Sequence, residues 1–458
     1  MNTSLVRPLL AAILLAVFAG PATARLGDRF PSEKRDVPDP HTGVPLTFLT
    51  TASAGESKIY PTHRQWTADS QWIVFRSGRV RGQAMAVHEE SGVMVQVTDR
   101  GFLGALCLAQ HAMKLYYLRP EGGMPPPNPE APGGARRAAI DRPLQLIETD
   151  LAKLFADSAA GRVGPAENYE RVCGTIPLAW GTAGELALDA TEEVAYFRIN
   201  QEEAVKHLPA GAKPEGNFGP RNMGAGPTGL GKMDLRTGEV AVVVAVPFQI
   251  GHVQTNPWVP GEIVFCWETG GKSPMRMWTV RADGSGLRPL FPEAPHDWVT
   301  HEAVITKDEV AFALMGHRAP GTDDAWGPSG SREHPTGLGI VNLRTREMRI
   351  AGQTKRGSGL WHVHGSPDGR WAVGDDFGRN LYLIDRTTDE MMLLSTGHKA
   401  TAADHVHPTF SPDGTRIQIQ SAMLAPDGRS MDICVVPVPE AWLKRTYPAP
   451  APIGRENP

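Results

Sequence analysis

The sequence predicts an all-β chain folded as a seven-bladed β-propeller. Two recurring phrases and their spacing predict it. The first phrase is an Asp or Asp-Gly turn followed by a short β-type run. It reads Thr67-Ala68-Asp69-Ser70 before Trp72-Ile73-Val74-Phe75 and Ser366-Pro367-Asp368-Gly369 before Trp371-Ala372-Val373. It returns as Ser411-Pro412-Asp413-Gly414 before Ile417-Gln418-Ile419, and as Ala425-Pro426-Asp427-Gly428 before Ile433-Cys434-Val435-Val436. Thr306-Lys307-Asp308-Glu309 before Val310-Ala311-Phe312 is a degraded copy. The second phrase alternates with it. Met233-Asp234-Leu235-Arg236-Thr237-Gly238-Glu239 precedes a run of valines, Val341-Asn342-Leu343-Arg344-Thr345-Arg346-Glu347 precedes Met348-Arg349-Ile350, and Leu383-Ile384-Asp385-Arg386-Thr387-Thr388 precedes Met391-Met392-Leu393-Leu394. Each is a strand, a tight turn and a returning strand. Hairpins recurring at roughly 40–50 residues fit propeller blades, whose four-stranded sheets need neighbours to bury both faces. Length disfavours a sandwich, and the near absence of long helical periodicity disfavours an α/β fold.

The elements follow in order. Residues 1–24 read as a secretory signal peptide. Arg7 supplies a positive charge, an apolar run extends from Leu9 to Ala19, and Ala22-Thr23-Ala24 forms an A-x-A cleavage site. The apolar run is short for a bilayer span, and no later stretch is long and apolar enough to be one. The expected location is periplasmic or secreted, with no membrane association after cleavage. Residues 25–445 form the propeller domain. Within it, Leu144, Leu146, Leu151, Leu154 and Phe155 recur at helix-like spacing and predict a short helical insert over 143–159. The Pro/Gly-rich stretches 121–138 and 213–228 read as rim loops, and 446–458 as a Pro-rich tail.

Composition excludes several classes. The 458 residues carry 46 Lys+Arg against 50 Asp+Glu, a net charge of -4, so no bulk cationic surface serves nucleic acid. Hydrophobic residues at 41% and charged residues at 21% are ordinary globular values. Four Cys (Cys107, Cys173, Cys266, Cys434) are too few for a disulfide scaffold. They read either as pairing partners in an oxidising compartment or as small buried residues in strands. Histidine is uneven: nine of the 15 fall between His296 and His407.

No G-x-S-x-G, H-E-x-x-H, Walker A or C-x-x-C motif is present. The histidines themselves carry the chemical signal. His405-Val406-His407-Pro408 precedes one Ser-Pro-Asp-Gly turn, and Trp361-His362-Val363-His364 precedes the other. On an extended strand His405 and His407 face the same side and can chelate one divalent ion. Thr300-His301-Glu302 and His63-Arg64 precede the remaining turns. Recurrence at one blade position favours a metal, against hydrogen-bonded strand-start histidines. Gly251-His252-Val253-Gln254 stands at another strand start, where a neutral imidazole can act as a base. His296, His317 and His334 read as exposed loop residues.

Further runs accompany these: Ile250-Gly251-His252, Val264-Phe265-Cys266, Arg276-Met277-Trp278 with Asp283-Gly284-Ser285, Thr300-His301-Glu302, Val373-Gly374-Asp375, and His405-x-His407-Pro408. In order and rough spacing, over the second half of the chain, they resemble the oligogalacturonate lyases of polysaccharide lyase family 22. The resemblance implies a seven-bladed propeller that cleaves uronate linkages by β-elimination, as in pectin degradation. It implies a divalent ion, typically Mn2+, on the substrate carboxylate, and an acidic oligosaccharide or polysaccharide as the partner. It implies His252 as the base and His301, His405 and His407 as metal ligands, with His362 in an adjacent blade near the substrate. Arg276 and Trp278 read either as substrate contacts or as a packing pair. Where the family has a fourth ligand, Gln, this chain has Ala402; water, Asp404 or His398 is the candidate replacement. Trp267 replaces a His and either stacks on a sugar or packs, and Arg221 is the candidate for an arginine otherwise missing near Met233. The alternative is a non-catalytic periplasmic propeller that binds sugar or protein.

Overall fold

The computed structural model describes residues 24–125, 140–217, 223–269, 273–294, 297–317, 336–353 and 359–447. Residues 1–23 of the expected signal peptide, most of the 121–138 stretch, Arg221 and the residues from 448 lie outside them. Seven antiparallel sheets follow one another along the chain, as expected. Inner strands and outer strands run 57–58 to 94–96 in blade one, 103–108 to 170–176 in blade two, 186–188 to 240–248 in blade three and 250–255 to 288–289 in blade four. Blade five runs from 297–306 to 348–352, and blade six from 363–365 to 391–395. Blade seven starts at 409–410, continues through 416–421 and 432–437, and is completed by strands 45–48 and 35–38 from the opposite end of the chain. Thr47 pairs with Val435 and Phe48 with Cys434. Blade one likewise takes an extra outer strand, 29–30, from before its own start.

The turn phrases have a clear local cause. The Ser366 hydroxyl donates to Asp368 at 2.6 Å and accepts from the Trp371 amide at 2.9 Å. Ser411 does the same with Asp413 and Arg416, and Thr67 with Asp69 and Trp72. Asp234, Asn342 and Asp385 each accept two backbone amides in their own turns. Short polar side chains thus replace the backbone bonds that a reversing strand loses. The first phrase joins the first and second strands of a blade, except Ala425–Gly428, which lies between 416–421 and 432–437.

Two local expectations need correction. The helical insert is shorter than 143–159. Residues 144–150 form a strand of blade two, and the helix covers Leu151–Ala159. Asp150 caps it by accepting the Lys153 amide. Leu144 and Leu146 are buried strand residues whose spacing imitates the helix stripe beside them. The 213–228 loop ends early, since a strand begins at Ala225. The four thiols are free and buried, which is the second of their two readings. Among the described residues no helix is long and apolar enough to cross a membrane.

Apolar clusters lie between neighbouring blades. One of them joins Leu46 and Phe48 to Trp371, Leu383, Ile417 and Val436, so strand 45–48 is held within blade seven by packing against blade six. Phe48 is fully buried. Phe48→Ala is expected to cost about 3–5 kcal/mol in denaturant unfolding, because its cavity opens at the ring's closing seam.

Candidate functional site

Histidines from blades four to seven converge around Tyr60 of blade one. Tyr60 lies 4.9 Å from His252, 6.5 Å from His301, 6.2 Å from His362 and 5.4 Å from His407, ring centre to ring centre. The His362 ring is 4.2 Å from His301, 3.8 Å from His407 and 5.4 Å from His405. The structure therefore brings together all five histidines singled out at strand starts. It does not bring His63, whose ring nitrogens are held by Thr62 and the Leu186 carbonyl.

Unusual backbone aims three of them. His252 lies in a β-bulge: Gly251 pairs with Cys266, but Gln254 pairs with Val264. His301 lies in another, between Thr300 paired with Ala313 and Ala303 paired with Ala311. Their φ values are 51° and 55°, and His407 has 51°. Left-handed backbone is costly for a residue with a Cβ and is tolerated where surroundings over-determine it. The register also breaks in the inner strand of blade two, where Gly104 takes φ 69°. Strand alternation is therefore not what unites His405 and His407. Residues 405–408 form no strand. The Gln420 side chain holds this segment by donating to the His405 carbonyl at 2.8 Å.

The site has two electrostatic halves. In the first, His252 Nδ1 meets Glu302 at 3.0 Å, and Nε2 lies 3.5 Å from Glu268. Arg276 Nε donates to the other Glu302 oxygen at 2.9 Å, and its Nη2 lies 3.5 Å from His252. Burial alone would depress the imidazole of His252, but the charge and hydrogen bond of Glu302 outweigh it and hold its pKa above the usual value. Burial pushes the Glu302 carboxyl up, yet Arg276 and His252 bring it down to about 2. Arg276 is 1% exposed, so it acts on His252 through Glu302 rather than on a ligand at the surface.

In the second half two imidazoles, those of His301 and His362, are held neutral. Burial drives His301 well below its usual pKa, and drives His362 down to about 3 with the neighbouring His407 adding to it. Asp375, fully buried, accepts the His362 amide at 2.7 Å and faces Nδ1 of both His362 (3.3 Å) and His405 (3.1 Å). One carboxylate thereby orients two rings and leaves their Nε2 atoms for other work. Tyr60 Oη sits 2.6 Å from His301 Nδ1. The tautomer that donates Nδ1–H to Tyr60 frees the lone pair of His301 Nε2, a buried atom with no hydrogen-bond partner. His407 Nε2 lies 3.4 Å from Asp404.

Two sets of donor atoms lie within 4.8 Å of one another: His362, Asp375 and His405, and His252, Cys266 and Glu302. The first belongs to the second half. Imidazole nitrogens with one carboxylate suit a divalent ion of borderline softness, and the partnerless buried Nε2 of the adjacent His301 is an atom such an ion satisfies. The residues present fit a metal. Asp404 reaches His407 Nε2 at 3.4 Å, whereas His398 is spoken for, since Ser395 and Ser421 occupy its two nitrogens. Ala402 is buried in a small cluster with Ala422, Ala425 and Met431.

The aromatic expectations resolve toward packing. Trp267 is 6% exposed, stacks on Phe248 at 4.7 Å and donates its indole N–H to Gly224. Trp278 packs on the same Phe248 and donates to Met275. His362 is 3% exposed, inside the ring cluster. Three functional candidates carried little sequence signal. Tyr60 has none, being remote in the chain and unrelated to the turn phrases. Glu302 was visible only as the neighbour of His301, and Asp375 only as part of a run.

No protein-family model matches the chain. Oligogalacturonate lyase of Dickeya dadantii (strain 3937) is 24% identical over 216 residues, covering 42% of this chain and 51% of that protein. The match thus spans about half the length of that curated relative. Over that half the chain is similar in sequence to oligogalacturonate lyase. Two solved oligogalacturonate lyases share the fold over nearly the whole chain. One, in complex with manganese, superposes with a TM-score of 0.67 at 18% identity, covering 92% of this chain and 100% of that one. The other, from Vibrio parahaemolyticus, gives 0.67 and 18% over 91% and 100%.

Removing the Glu302 charge tests the first half directly. In Glu302→Gln, His252 is expected to titrate at lower pH than in the parent, read from its imidazole resonances by NMR. An unmoved titration would show that Glu302 does not control this ring.

Proposed function

We propose that the chain is a metal-dependent lyase that cleaves uronic-acid-containing oligosaccharides, of the oligogalacturonate kind, by β-elimination. One observation carries the reading. A single imidazole with raised basicity, His252, stands 6.3 Å ring to ring from His301, whose burial lowers its basicity, at the edge of the imidazole cluster. That is a proton acceptor beside a metal-competent donor set. The exported location read from residues 1–24 belongs to the same proposal.

His301, His405 and His407 would hold the ion, with Asp375 fixing His405 and His362 from behind. A divalent ion such as manganese would act as a Lewis acid on the uronate carboxylate, stabilising the charge that develops when the neighbouring C5–H is broken. Glu302 holds Nδ1 of His252, so Nε2 is the nitrogen that accepts the C5 proton. The C–H electron pair becomes the C4–C5 double bond, the C4–O bond breaks, and the departing oxygen takes a proton from solvent. Arg276 keeps Glu302 ionised and aimed, which makes it a positioning residue. Arg221 lies outside the described residues.

Two outcomes follow. Dialysed protein supplied with Mn2+ and oligogalacturonate is expected to generate the ultraviolet absorbance of a 4,5-unsaturated product, and His252→Ala to lower that rate about 10²–10⁴-fold. His252 must be neutral to act, and its pKa is raised. Activity should therefore climb with pH through a value above that of an ordinary histidine, and the climb should move to lower pH in Glu302→Gln. Absence of unsaturated product with bound oligosaccharide would leave a sugar-binding propeller instead. Independently of turnover, Asp375→Asn is expected to weaken Mn2+ binding about 10–100-fold in calorimetry, because two rings lose their orienting partner. Unchanged affinity would remove Asp375 from the site.

A further inference from the structure

The hairpin that orients the imidazoles also carries an exposed aromatic ring. Asp375 ends strand 371–375, and the turn to strand 381–385 follows it directly. Phe377, on that turn, is 40% exposed. Its ring lies 5.1 Å from Trp361 at an interplanar angle of 40°, and 6.4 Å from His405. Trp361 is half-buried and in turn touches the cluster, 4.6 Å from His301 and 5.9 Å from His405. Two aromatic rings thus border the imidazole cluster on the side of blade six.

The turn is rigid. Asp376 is 8% exposed, and its carboxylate accepts the Asn380 amide at 2.9 Å, the Asn380 side chain at 3.0 Å and the Tyr382 hydroxyl at 3.3 Å. Backbone bonds run from Asp376 to Asn380 and from Arg379 to Asp376. Arg379, held at φ 63°, donates Nε to the Asp404 carbonyl at 3.3 Å, next to His405. A hydrophobic ring at 40% exposure costs solvation unless something covers it, and fixing it on a rigid turn preorganises that cover. A guanidinium on the same turn as the ring, two residues from Phe377, favours a partner with both an apolar face and a carboxylate. A pyranose uronate has both: a face of C–H groups and a carboxylate at its edge.

We propose that Trp361, Phe377 and Arg379 form a sugar subsite, in which the two rings stack on a pyranose face and Arg379 pairs with a uronate carboxylate. This rests on the proposed acidic oligosaccharide and specifies where one of its residues lies. It also replaces the stacking role expected of Trp267, whose ring is inside blade four. Phe377 and Arg379 share one hairpin with Asp375, so the sugar would be registered against His405 by the same backbone that orients His405.

The test is binding without turnover, in full-length His252→Ala with Mn2+. Trigalacturonate is titrated by calorimetry and by tryptophan fluorescence, beside its fully methyl-esterified form. Phe377→Ala in that background is expected to weaken binding of both sugars about tenfold, and Phe377→Tyr to preserve it. Arg379→Gln is expected to weaken trigalacturonate alone and leave the ester unchanged. Unchanged affinity in Phe377→Ala, with melting temperature equal to the parent's, would overturn the platform. Equal losses for acid and ester in Arg379→Gln would overturn the carboxylate contact, and no binding of trigalacturonate by the parent would overturn both. A wild type that yields no unsaturated product while Phe377→Ala weakens binding would sink the lyase reading and keep the subsite.

Discussion

Closure of the ring is the constraint on which the rest depends. Each blade is apolar on both faces and is stable only between two neighbours, so the last blade must meet the first. Here strand 45–48 enters blade seven, pairing Phe48 with Cys434. The chain then passes directly into blade one, and Tyr60 follows. That single seam sets Tyr60 against His301 of blade five and His407 of blade seven. Without closure, the groups of the site would come from separate, weakly registered edges.

Within the closed ring, irregular backbone does the aiming. His252, His301 and His407 all adopt left-handed φ, a conformation costing about 1–3 kcal/mol per residue. Glycine would avoid that cost, as Gly104 does in blade two, but glycine offers no imidazole. The strain is held in place by Glu302 on His252, Tyr60 on His301 and Asp404 on His407. Stability is given up at the positions that carry chemistry, a pattern common to preorganised sites.

The same five rings are then divided electrically. Glu302, stabilised by Arg276, raises the basicity of His252. Burial and mutual repulsion lower it in His301 and His362. Environments that push identical side chains in opposite directions separate a proton acceptor from metal-type ligands. Asp375 and the rigid turn after it extend this order outward to Phe377 and, through it, Trp361, so the carboxylate that orients two rings and the exposed aromatic edge are joined by one hairpin.

The sequence by itself determined the blades and the histidines. The Ser-x-Asp and Asp-x-Thr turns are local devices, their bonds spanning two to five residues, and local chemistry is legible in a linear pattern. The histidine recurrence was legible for a related reason, since equivalent strands begin at equivalent phrases. Tertiary structure alone decided the closing strand 45–48, the bulges at His252 and His301, and the partners Tyr60, Glu302 and Asp375. It also decided which tryptophan is available: Trp267 turned inward onto Phe248, and Trp361 toward Phe377. Short strands of similar composition do not encode which edge they will join or which face of a ring they will present. Those choices are settled only when seven sheets pack around one axis and each side chain meets the neighbours on the adjoining blade.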